Sequence, residues 1–205
     1  LILMESMSAE KMKRFGNNEN LTPHLDGFAE KGISFENFYS AGIHTYNGVY
    51  STLFSYPALM GRHSMKTAEI PEFSGLSYHL NNHDYTTMYF TTHDGQFDNV
   101  EGFLKANHFD HIITQSDYPD EKIESTLGVP DDYMFEFAIP KINEIAESEN
   151  PFFTVMLTSS DHGPYYIPPY FIPKSLYERE QIVEYADWSL GKFIKLASEQ
   201  EWFSD

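Results

Sequence analysis

The chain has no cysteine. That excludes disulfides, thiolate metal sites and cysteine nucleophiles together. Basic residues are also scarce: 13 Lys and Arg stand against 31 Asp and Glu, a formal charge of −18. A surface so acidic repels nucleic acid and anionic lipid headgroups, so no nucleic-acid partner is expected. The same acidity serves solubility. No apolar run approaches the ~20 residues that cross a bilayer, and no signal peptide is visible. What is present is a globular composition, 41% hydrophobic and 16% aromatic over 205 residues. That length suffices for one domain, residues 1–205, with a substantial core.

Local patterns predict alternating strands and helices. Leu1 to Met4 is a continuous apolar run, suited to a strand buried on both faces. Residues 9–20 read as a polar loop. Thr22 and Pro23 open a helix as cap and first residue, and Gly32 ends it. Residues 33–39 alternate apolar and polar, which predicts a second strand. Residues 42–48 read as a turn, with a helix starting at Val49. Further helices are expected over 71–82, 130–149 and 176–200, a loop and helix over 95–107, and further strands over 85–91 and 152–157. The expected fold is α/β, a largely parallel sheet between helical layers. In such sheets ligands bind outside the carboxyl ends of the strands. Glu5, His93 and the segment Ser159 to His162 each follow a predicted strand, so all three point to one edge.

Two segments carry the chemistry. Glu5 ends the first apolar run, where a carboxylate is costly to bury unless paired or metal-bound. Thr45 lies between Gly42 and Gly48, ahead of Ser51, Thr52, Leu53, Ser55 and Pro57. Alone, a threonine there reads as a helix cap. Coordination to a divalent cation would make it an alkoxide nucleophile, and a turn into a helix aims N–H groups at a phosphate.

Together these segments resemble the alkaline phosphatase superfamily, in the sulfatase-like branch of lipoteichoic acid synthases and phosphoethanolamine transferases. The resemblance implies that Glu5 and Thr45 are ligands of one divalent metal ion (Mn, Zn or Mg). It implies that Thr45 is the catalytic nucleophile, taking a phospho-head-group from a phospholipid donor and passing it to a glycan or lipid acceptor. The run Thr158 to Pro168 resembles the family segment whose histidine, here His162, contacts the substrate phosphate or leaving group. The tripeptide Asp161-His162-Gly163 also resembles the family's Asp-His metal pair, but its flanks favour the substrate role. The true pair is expected beyond Asp205. The run Tyr89 to Asn99 resembles a substrate-binding segment, which implicates His93 and Asn99. Glycerol-phosphate polymerising members carry tryptophan and arginine near its end; here those positions read Asp98 and Val100. That weakens the case for a lipoteichoic-acid-type substrate.

The resemblance further implies a catalytic domain truncated at both ends, inactive alone, and binding metal weakly or not at all. Its family location is extracytoplasmic, periplasmic or cell-surface, joined to the cell membrane by a segment outside this chain. A true sulfatase is disfavoured, because its Cys/Ser-x-Pro-x-Arg motif has Leu59 where arginine is required. A phosphatase or phosphodiesterase with the same nucleophile stays open. So does a non-catalytic lipid- or partner-binding module. The aromatic run Tyr165 to Phe171 would line an acceptor cleft or simply pack as a loop.

Overall fold

The structure is a computed structural model that describes residues 1–57, 61–148 and 150–204. Leu59 of the sulfatase comparison, Glu149 at the end of one expected helix and Asp205 lie outside the described residues. Four strands form one sheet: β1 (Ile2–Leu3), β2 (Thr86–Thr91), β3 (His111–Ile113) and β4 (Phe152–Leu157). Their order is β1-β4-β2-β3, and every pairing is parallel. The expected α/β architecture is therefore observed. Helices are α1 (Pro23–Lys31), α2 (Thr45–Phe54), α3 (Leu76–Asn81), α4 (Val100–Ala106), α5 (Asp131–Ala146) and α6 (Glu178–Ala197).

The sheet is covered on both faces. Along β2, Met88 and Phe90 enter one core and Tyr89 the other, as the two-residue strand period requires. Tyr89 packs with Val49, Leu53 and Phe54 of α2 and with Phe103 and Leu104 of α4. Met88 and Phe90 pack with Met134, Phe135 and Ala138 of α5 and with Phe193 of α6. Each such side chain contributes about 1.5–3 kcal/mol on burial. Burial on both faces is why β4 reads as a continuous apolar run, while β2 reads as β-rich.

Four expectations change. Residues 33–39 do not form a strand. No described strand lies beside them, so the alternating side chains have no face to bury; Ile33 is 89% exposed and Phe38 81%. The second helix starts at Thr45 rather than Val49, because Asn47 and Gly48 sit inside its first turn. The helix expected over 71–82 is confined to Leu76–Asn81. At α1, Thr22 does not cap with its side chain; its hydroxyl donates to Asp26 Oδ2 at 2.9 Å. The cap comes from α6: Asp187 accepts the His24 and Leu25 N–H groups at 2.9 and 2.8 Å.

Candidate active site

The strand ends do converge. β1 delivers Glu5, β2 delivers His93, and β4 delivers Ser159 to His162 at the carboxyl edge of the sheet. The Glu5 N–H donates to Thr158 Oγ1 at 3.0 Å, which fixes the exit of β1 against that of β4. Glu5 Oε1 accepts the Ser6 hydroxyl at 3.0 Å. Its other oxygen, Oε2, accepts the Thr45 hydroxyl at 2.8 Å. Two groups 40 residues apart in sequence are thereby joined.

Thr45 is the first residue of α2. The unpaired N–H groups and positive dipole end of that helix surround it. Asn47 accepts the His44 N–H at 3.3 Å and holds the chain in its entry path. Gly42 is required beside it, since a Cβ there would strike the Asn47 side chain. Glu5, Thr45, Gly42, His44 and Phe38 line a cleft of about 430 Å³.

His93 accompanies them. Its Nδ1 lies 3.2 Å from Thr91 Oγ1, and its ring stacks on Phe97 with centroids 5.6 Å apart. Burial lowers its pKa below 6.5; the charges of Glu5 and Asp98 pull upward and His162 pushes down, so the ring is neutral near neutral pH. His162 is exposed, and its Nδ1–H donates to the Gly163 carbonyl at 2.7 Å, leaving Nε2 open. Asn99 is differently employed: its amide donates to the Met65 carbonyl at 2.8 Å.

Several contributing residues gave little sequence signal. Asp131, buried at the start of α5, accepts the Ser159 N–H at 2.8 Å and the Ser160 N–H at 3.1 Å. It thereby sets the loop that carries His162. A helix was expected from residue 130, but nothing in its sequence named those partners. Lys11 pairs with Asp161 and donates to the Ser6 carbonyl at 2.7 Å, linking the loops after β1 and β4.

Carboxylate and hydroxyl oxygens suit Mg, Mn or Zn. Glu5 and Thr45 bring one of each to a single point. No cluster of three or more His, Cys, Asp or Glu able to hold a metal occurs among the described residues.

The Sulfatase family model matches residues 1–203. The chain belongs to the sulfatase family. Its fold is that of the alkaline phosphatase superfamily. A protein of that superfamily from Vibrio parahaemolyticus is 26% identical with TM-score 0.89, over 98% of this chain and 50% of that one. The lipoteichoic acid synthase LtaP from Listeria monocytogenes is 23% identical with TM-score 0.78, over 88% and 47%. The C-terminal periplasmic domain of EcEptC from Escherichia coli is 14% identical with TM-score 0.64, over 97% and 58%; a complex of that domain with Zn is also similar. The chain thus spans about half the length of the structures it matches. No described helix is long and apolar enough to cross a membrane.

Proposed function

We propose that this part of the sulfatase family transfers a phospho-head-group from a lipid donor to a glycan or lipid acceptor, with Thr45 as nucleophile. One observation carries the reading: the Thr45 hydroxyl, at the first turn of α2, donates to Glu5 Oε2 at 2.8 Å on the carboxyl edge of a parallel sheet. A divalent cation bound by Glu5 and Thr45 would supply a lowered hydroxyl pKa.

The chain's own residues do the rest. The Thr45 proton is directed at a carboxylate, which frees the oxygen lone pairs for the phosphorus. Thr45 Oγ forms a bond to phosphorus as the bond to the donor's lipid oxygen breaks. A protonated His162 gives that oxygen its proton. The N-terminal amides of α2 stabilise the charge on the phosphoryl oxygens. In the second half the acceptor hydroxyl attacks the phosphothreonine as the Thr45 Oγ–phosphorus bond breaks; neutral His162 takes the hydroxyl's proton, and Glu5 returns the first proton to Thr45. On this reading the reaction takes place on the extracytoplasmic side of the cell membrane; the similar EcEptC domain is periplasmic.

The test is metal content and phosphodiester cleavage by the full-length protein, beside Thr45→Ala. Bound divalent metal and turnover lost in Thr45→Ala are expected. Release of the phospho-group to water alone would make the enzyme a hydrolase. Metal-free, inactive protein would sink the catalytic reading in favour of a binding module.

A further inference from the structure

Thr45 stands on a turn with little helical tendency of its own. Residues 45–48 read Thr-Tyr-Asn-Gly, and each of these types is a poorer helix former than alanine. The first turn of a helix also lacks its full set of backbone hydrogen bonds. A nucleophile needs the opposite setting, because a displacement of about 1 Å can cost roughly 100-fold in rate. The rigidity must come from side-chain packing.

A stack of three rings supplies it. Tyr46, next to Thr45, lies on His63 with centroids 3.7 Å apart and planes 19° from parallel. His44, on the other side of Thr45 in sequence, stacks on Tyr46 at 5.5 Å and 11°. Thr45 is thus bracketed by two members of one stack. Its third member, His63, is pinned at both ring nitrogens. Nδ1 accepts the Met65 N–H at 3.3 Å, so the ring proton sits on Nε2, which donates to Asp98 Oδ1 at 3.0 Å. Lys66 Nζ donates to the same oxygen at 2.9 Å, and the Asn99 amide donates to the Met65 carbonyl at 2.8 Å. Three bonds therefore tie residues 63–66 to Asp98 and Asn99, beyond the end of β2. A ring held at both nitrogens keeps its plane, and the Tyr46 ring packed on it keeps its own.

We propose that His63 is a positioning residue for the Thr45 nucleophile. It acts through Tyr46, holding the first turn of α2 so that Thr45 Oγ meets Glu5 and the phosphorus together. This rests on the phospho-transfer reading of the same site.

The experiment measures kcat and KM for phosphodiester cleavage, and amide hydrogen exchange over residues 45–48, in the full-length protein. His63→Ala and Tyr46→Ala are each expected to lower kcat about 10-fold or more, with KM little changed. Exchange should speed up in that turn and stay slow in β2 and β4. The double alanine variant should be no slower than either single one, because the two rings form one contact. His63→Phe keeps a ring but loses its ties, and should recover part of kcat. A merely structural role would give none of this pattern: it would speed exchange across the sheet as well. Unchanged kcat in His63→Ala, a loss that His63→Phe does not recover, or losses that add in the double variant overturn this inference and leave the transfer reading standing. If an alanine variant does not fold, His63→Phe beside Tyr46→Leu decides: the first must keep the higher kcat. Wild-type protein without Thr45-dependent turnover overturns both.

Discussion

Replacing Asp131 by alanine tests how the His162 loop is held. The carboxylate is buried and accepts the Ser159 and Ser160 N–H groups, at 2.8 and 3.1 Å, and the Ser159 hydroxyl at 3.3 Å. Alanine strands two buried donors at about 1–3 kcal/mol each. The wild type also bears a cost that alanine sheds. Burial raises the Asp131 pKa above the ordinary 3.8, although the bonds from Ser159 and Ser160 pull it back. The net loss is therefore placed at about 2–4 kcal/mol, the lower part of the range for two orphaned donors. For a chain of this length that lowers Tm by about 5–15 °C. The pH dependence has a definite sign. Between 3.8 and the higher folded pKa, the folded state holds a proton that the unfolded state has lost. Stability from this group therefore falls as pH rises through that window. The gap between wild type and Asp131→Ala should be widest at acid pH and narrow on going up. Circular-dichroism melts at a series of pH values read both quantities. Co-melting of the two proteins, or a gap that widens with pH, would refute the reasoning.

Other outcomes follow from single positions. Gly128 sits at φ +92° with the Thr92 carbonyl where a Cβ would lie, so Gly128→Ala should cost at least about 2 kcal/mol by denaturant titration. His93 has its pKa lowered by burial, so stability is complete above 6.5 and falls as pH drops through the folded value; His93→Gln should remove that slope from urea midpoints. At Asp98, burial raises the pKa, but Lys66 and His63 outweigh it and leave it below 3.8. Its contribution is present above 3.8 and is lost as pH falls through the folded value, the opposite sense to Asp131; NMR titration of the side chain in wild type and Lys66→Ala checks the direction.

The fold was legible where burial is two-sided or strongly periodic. β4 announced itself as an apolar run because both faces are covered, β2 by its β-rich composition, and α5 and α6 by their inner stripes. The failure at residues 33–39 is instructive. Alternation records that one side of an extended segment could be buried. Whether it becomes a strand depends on a neighbour offering free N–H and C=O groups, which local pattern does not encode. The start of α2 was missed for a related reason: Asn47 and Gly48 favour turns by themselves, yet α2 packs Val49, Tyr50 and Leu53 into the core and carries the helix back to Thr45.

The site divides along the same line. Glu5 was visible because an apolar run stops at a carboxylate, and His93 and His162 because each follows a strand. Thr45 was singled out by family resemblance, since spacing alone made it a cap. What no local signal carries is partnership. Asp131 meets Ser159 across 28 positions, and His63 meets Asp98 across 35. Such pairs exist only after a parallel sheet has brought successive strand ends to one edge, because parallel connections are long by construction. A catalytic edge of this kind is therefore legible in its individual side chains, while the residues that hold and tune them become legible only in the folded chain.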